Sequence, residues 1–259
     1  MPSEKRTRQR AMRQMKVAQI QKHKRRTRRL RRMGGAILVA AVVVGVIALV
    51  SQHGPKPSNG AISPTCLHEG QLVAATRHTK FTKPPPMCIS KTTTYDATFT
   101  TDVGSFVVEM PAPASPKAVN NFIFLAEHRF FDGTKFSRVV PGFVVQGGSP
   151  NGSANGGPGY KWTGNTPPHN CVAAHDCYSA WAVAYANSYG PTTNGSQFFI
   201  VLPKGVKDLD TTPDYTPFGK VILGRAVVNR IAKDGGPPST GKPKHVHRLI
   251  SVTITEAAV

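Results

Sequence analysis

Seventeen consecutive residues without a charge or strongly polar group, GGAILVAAVVVGVIALV (34–50), split the chain into parts of different character. As a helix this run is about 25 Å long, at the short end for a bilayer core of about 30 Å. Beyond it the apolar positions recur in short blocks. YDATFTT and SFVVEM read as two strands joined by a Gly turn. In ASPKAVNNFIFLAEHRFF, Ala118, Val119, Phe122, Ile123, Leu125 and Ala126 recur at helical spacing, with Ser115 as N-cap and Pro116 in the first turn. Further strands are expected near 135–140, 143–147, 180–186, 197–202, 217–223 and 246–255. A second short helix is expected over RAVVNRIAK, 225–233, with Gly235 just past its end. Many short strands between Gly- and Pro-rich turns predict a mainly β fold. The expected form is a closed eight-stranded antiparallel barrel with two helices, preceded by one transmembrane helix.

Charge sharpens the division. The net charge is +20, and residues 1–33 contribute 14 Lys/Arg against the single acid Glu4. Basic residues crowded before the span and few after it predict an N-terminus in the cytoplasm and everything past Ser51 outside. A cleaved signal peptide is the rival reading. Its charged leading region is usually short, whereas 33 residues precede this run, and IALVSQH makes a poor cleavage site. The basic tail suits a topology signal that also touches anionic lipid head groups. Lying beside a span, it does not point to nucleic acid. Four parts follow: a cytoplasmic tail (1–33), a membrane helix (34–50), a Pro-rich extracytoplasmic stalk (51–91) containing Pro84-Pro85-Pro86, and a folded domain (92–259). The localisation expected is a single-pass cell-membrane protein with its domain outside.

All four cysteines, Cys66, Cys88, Cys171 and Cys177, follow the span, and an even number outside the cytoplasm is compatible with disulfides. Connectivity cannot be deduced from sequence; local pairing, Cys171–Cys177 and Cys66–Cys88, is the working hypothesis. His169, Cys171, His175 and Cys177 are all of zinc-ligand type, but their spacing is not the usual two to four residues within a pair. No metal and no cofactor are expected.

The motifs exclude several chemistries. There is no G-x-S-x-G, no H-E-x-x-H and no complete phosphate-cradling G-x-x-x-x-G-K-[ST], and no G-x-G-x-x-G follows a strand. What stands out is one charge and one amide inside an apolar run, Arg138 and Gln146 in FSRVVPGFVVQGG (136–148). YANSYGPTTNGSQFFIV (185–201) adds Asn187, Gln197 and Phe199. Taken singly these have ordinary readings: an ion-paired arginine, and phenylalanines in a core.

Together these two runs, in this order and followed by FGKV at 218–221, resemble the cyclophilin-type peptidyl-prolyl isomerases over about residues 94–257. The resemblance implies rotation about X-Pro bonds with no cofactor. Arg138 would be the catalytic cation and Gln146 would hold the peptide and the guanidinium. Phe143, Val144, Phe199 and Leu209 would line the proline pocket, closed by Tyr215 where many members have histidine. Ala186 and Asn187 would bind the substrate backbone, with Gln197 supporting them. Asp208 stands where a tryptophan often contacts cyclosporin, Val144 replaces a common methionine, and NSYGPTTNG carries one extra residue. The partners implied are proline-containing exported polypeptides. The rivals are a non-catalytic proline-peptide binder or holdase on the same fold, and a chain whose basic tail is the working part.

Overall fold

The computed structural model describes residues 62–67, 73–167, 171–174, 176–188, 190–211 and 213–257. The basic tail and the apolar run 34–50 lie outside them. Among the described residues no helix is long and apolar enough to cross a membrane.

Nine antiparallel strands form one sheet. They are β1 (Thr94–Thr101), β2 (Gly104–Pro111), β3 (Thr134–Lys135), β4 (Arg138–Val140) and β5 (Val144–Gly147), then β6 (Ala182–Tyr185), β7 (Phe198–Val201), β8 (Pro217–Leu223) and β9 (Arg248–Glu256). Their order is β3-β9-β1-β2-β8-β6-β7-β5-β4. The helices are α1 (Pro116–Glu127), α2 (Cys171–Ala174), α3 (Val206–Asp210) and α4 (Arg225–Lys233).

The expected closed eight-stranded barrel with two helices is corrected here to an open, half-barrel sheet. The single strand expected near 135–140 is two short pieces. β3 pairs with β9, whereas β4 pairs with β5. Being successive segments of one run, the two end strands form no ladder with each other. The free edge of β4 is instead taken up by loop 236–241: Val139 N–H donates to Gly241 O at 2.8 Å, and Gly236 N–H to Val139 O at 3.0 Å. An exposed edge is thereby covered without a strand.

The inner face of the sheet holds an aromatic core. Phe99, Phe122 and Phe198 are each 0% exposed, with ring centroids 5.6–5.8 Å apart. Helix α1 packs on this core, but it is buried on more than the expected stripe, at every position from Ala118 to Ala126. Ser115 sits at its N-cap without a side-chain capping bond.

The extra burial comes from the segment preceding β1. Ala74 N–H donates to Glu127 O, and His78 N–H to His128 O. Asn120 on α1 donates to Pro86 O at 2.8 Å and accepts from Cys88 N–H at 2.7 Å. Phe81, 1% exposed, meets Phe124 edge-on at 5.0 Å. Cys66 and Cys88 are disulfide-bonded, closing the segment on itself. Its described part, residues 62–67 and 73–91, is a strap across α1.

Candidate active site

Strand registry assembles the site. Arg138 on β4 lies directly opposite Gln146 on β5, Gln146 opposite Phe199 on β7, and Phe199 opposite Ala184 on β6. Residues directly opposite one another share a sheet face, so these four make a row across four strands on the outer face. The neighbouring row, Val139, Val145, Ile200 and Val183, points the other way into the core. Arg138 and Gln146 therefore lie outside the core, which removes the cost of burying an unpaired charge.

Arg138 is half-buried, its guanidinium 5.7 Å from the centroid of the Phe143 ring. The ion pairs among the described residues do not include it. Its stem is held by loop 236–241. Gly241 has φ +62°, and a Cβ there would meet Arg138 Cγ at 2.6 Å. Gly241→Ala is therefore expected to displace the guanidinium and lower any turnover about tenfold or more, read as kcat/KM on a proline peptide.

The Gln146 side-chain amide donates to Gln197 Oε1 at 3.2 Å. The Gln197 amide in turn donates to Ala154 O at 2.7 Å and Gly156 O at 2.9 Å, tying the row to loop 153–156. Beside these residues is a cavity of about 460 Å³, also lined by Ala186 and Asn187. Asn187 uses its own side chain on its loop: Nδ2 donates to Asp214 O at 2.9 Å and Oδ1 accepts Gly190 N–H at 3.1 Å. What it has left to offer a ligand is backbone. Ala186 N–H is taken by Gln197 O at 2.9 Å.

The apolar part is a second cluster, separate from the core. Val144, Ala184, Phe199, Val201 and Leu209 are buried in it, and Phe143, Ala186 and Tyr215 pack partly exposed at its margin. The Tyr215 ring stands perpendicular to Phe199 with centroids 5.1 Å apart.

Sequence reasoning missed the group that fixes Tyr215. The Tyr178 hydroxyl donates to Tyr215 O at 3.0 Å and accepts from Tyr215 N–H at 2.9 Å. Burial pushes its phenol well above the usual range, so it acts as a neutral donor and acceptor. Nothing in DCYSAW marks it. Asp210, nearly fully buried, accepts the Tyr178 N–H at 3.1 Å.

Cys171 and Cys177 are disulfide-bonded inside this second cluster. The bond leaves neither sulfur as a thiolate for zinc, and His169 and His175 lie outside the described residues. Asp208 is exposed on α3 next to the buried Leu209.

This arrangement can hold a small apolar ring against Phe199 and Leu209 with a permanent cation beside it. It contains no nucleophile–base pair, so it suits rearrangement rather than bond cleavage.

Comparison with known proteins agrees. The sequence model of the family described as "Cyclophilin type peptidyl-prolyl cis-trans isomerase/CLD" matches residues 97–257. The peptidyl-prolyl cis-trans isomerase B of Streptomyces anulatus is 35% identical over 164 residues, 57% of this chain and 89% of that protein. The peptidyl-prolyl cis-trans isomerase-like 2 of Cryptococcus neoformans is also 35% identical, over 62% of this chain but 27% of its own length. A crystal structure of the cyclophilin type isomerase of Cryptosporidium parvum superimposes with a TM-score of 0.55 at 26% identity, covering 64% of this chain and 99% of that one. A second structure of that protein was determined in the presence of the dipeptide Ala-Pro. The chain belongs to the cyclophilin-type peptidyl-prolyl cis-trans isomerase family.

Proposed function

We propose that this chain catalyses cis–trans isomerisation of X-Pro bonds in exported polypeptides from a membrane-anchored domain. The observation that carries the catalytic part is the row Arg138–Gln146–Phe199, with a guanidinium that joins none of the ion pairs among the described residues, beside an apolar cluster. Rotation about an amide must break its resonance over a barrier of roughly 18–20 kcal/mol. As the bond twists, the prolyl nitrogen regains a lone pair. A guanidinium hydrogen bond to that nitrogen forms mainly in the twisted state and so lowers the barrier rather than merely tightening binding. Arginine keeps its charge, and its planar fork directs its donors. Phe199, Leu209 and Val144 seat the proline ring, Phe143 and Tyr215 flank it, and Gln146, held by Gln197, keeps the guanidinium and the peptide in register. Ala186 and Asn187 bind the peptide backbone. The uncatalysed exchange takes tens to hundreds of seconds. Full chain in detergent is expected to shorten it on a short X-Pro peptide. Binding without acceleration would instead indicate a non-catalytic proline-peptide module.

The membrane part of the proposal is supported by the charge and hydropathy of residues 1–50. Residues 1–33 form a cytoplasmic tail that touches anionic lipid, 34–50 span the membrane, 51–91 begin as a linker and end as the strap, and 92–259 carry the site. A reporter active only outside the cytoplasm, fused after Val259, is expected to be active on membrane-bound protein that keeps its Arg-rich tail. A mature N-terminus near Ser51 would show cleavage instead.

Asp208 predicts weak inhibition by cyclosporin, because a hydrated charge replaces a flat aromatic and its N–H donor. Asp208→Trp is expected to tighten inhibition. Equal inhibition constants for the two proteins would remove Asp208 from the drug-binding rim.

A further inference from the structure

The segment entering β9, HVHR (245–248), joins three elements through one histidine. His247 is 3% exposed. Its Nε2 is 2.8 Å from Asp234 Oδ2, at the end of α4. Its Nδ1 is 3.2 and 3.3 Å from the two Asp102 oxygens, in the β1–β2 turn. His245 stacks edge-on against it, ring centroids 4.8 Å apart. One ligand atom each from Asp102, His245 and His247 lies within 4.8 Å of the others.

We propose that Asp102, His245 and His247 form a binding site for a divalent transition-metal ion, with zinc as the ion committed to. Both carboxylates only accept, so a neutral imidazole can donate to one of them; the shorter contact, 2.8 Å to Asp234, places the hydrogen on Nε2. That leaves the Nδ1 lone pair facing the Asp102 carboxylate, an arrangement that is repulsive until a cation sits between them. A shared proton would serve that pair alone and leaves His245 without a purpose. A metal ion gives all three a purpose. Tetrahedral zinc with bonds of about 2.0–2.2 Å keeps its ligand atoms roughly 3.3 Å apart. The His247–Asp102 pair already has that spacing, and the exposed His245 ring needs only a modest swing to complete a third vertex. Solvent supplies the fourth.

The surroundings match what metal ligands require. A ligating histidine donates its other N–H to a carboxylate, as His247 does to Asp234. A ligating carboxylate is itself hydrogen-bonded, as Asp102 is by the Arg248 N–H at 3.2 Å. Two imidazoles and one carboxylate suit zinc and its neighbours, whereas magnesium and calcium want oxygen donors. Bound there, the ion would clamp the β1–β2 turn to the start of β9.

The test is zinc titration of the tag-free full chain in detergent by calorimetry, on wild type, His245→Ala and Asp102→Asn. Both altered side chains are exposed, so the fold is expected to persist, as circular dichroism would verify; the buried His247 is left in place. The wild type is expected to bind zinc with an affinity that falls about 100-fold or more in either variant, and about 10- to 100-fold in Asp234→Asn, which touches only the hydrogen bond behind the ligand. A zinc-induced rise in melting temperature should be lost in parallel, and magnesium should reproduce none of these effects. Zinc isotherms and melting shifts that coincide in wild type, His245→Ala and Asp102→Asn would overturn the site, since any zinc bound would then be held by other residues.

Discussion

Arg138→Ala is expected to lower kcat/KM for an X-Pro peptide by about 100-fold or more while leaving the fold intact. The magnitude is that of removing one preorganised donor aimed at developing charge. The fold should survive because Arg138 is on the outer face of β4, half-buried and outside the ion pairs among the described residues, so nothing in the core loses a partner. Its contact with the Phe143 ring is lost, but that contact lies at the margin of the second cluster. The measurement is peptide exchange by full chain and variant, with circular dichroism as the control on structure. Binding of a proline peptide should change far less than turnover, because the guanidinium acts on the twisted state. Equal rates would remove Arg138 from the mechanism and leave the apolar cluster as a binding surface only. Arg138→Lys separates charge from geometry: a point charge without the planar fork is expected to restore only part of the loss.

The site row was legible because it violates a local rule. A strand packed on a core does not carry Arg and Gln on the buried face, so Arg138 and Gln146, an even number of residues apart across a Pro-Gly turn, had to point elsewhere together. The β4–β5 registry pairs them directly. The hairpin β1–β2 and helix α4 were legible for the opposite reason: their local patterns agree with their burial. Helix α1 was legible from its apolar stripe, although the strap extends its burial beyond that stripe. Barrel closure was not legible. Whether one extended run pairs along its whole length or changes partner midway, as 134–140 does between β9 and β5, depends on residues more than a hundred positions away. Tyr178 and Gly241 were missed on similar grounds. Each acts through backbone or through packing on a residue distant in sequence, and neither leaves a periodic mark. His245 and His247 passed unnoticed because the carboxylates that give them meaning lie in other elements.

Phe81→Ala is expected to destabilise the folded unit by about 3–5 kcal/mol, the cost of emptying a buried phenylalanine site. In sequence Phe81 is a lone aromatic in a stretch rich in Pro, Thr and Lys, where nothing demands burial. In the structure it is 1% exposed and forms edge-on contacts with Phe124 at 5.0 Å, His128 at 5.4 Å and Tyr160 at 6.5 Å. Its N–H donates to Pro158 O at 2.7 Å, and that approach is close enough that a Cβ on Gly159 would meet Phe81 O at 2.7 Å. The ring therefore pins the strap to α1 from one side and to loop 156–160 from the other. Loop 153–156, just before it, carries the carbonyls that hold Gln197. Loss of the ring should lower the denaturant midpoint of the full chain and make residues 73–91 more susceptible to limited proteolysis. Isomerase activity should fall by less than in Arg138→Ala, because the ring contacts Phe81 makes are with Phe124, His128 and Tyr160 rather than with the row Arg138–Gln146–Phe199. If the segment were a free spacer, Phe81 would be a surface residue and its removal would change stability by no more than about 0.5 kcal/mol. An unchanged midpoint and protease pattern would thus return the strap to the status of a linker and place the start of the folded unit at β1.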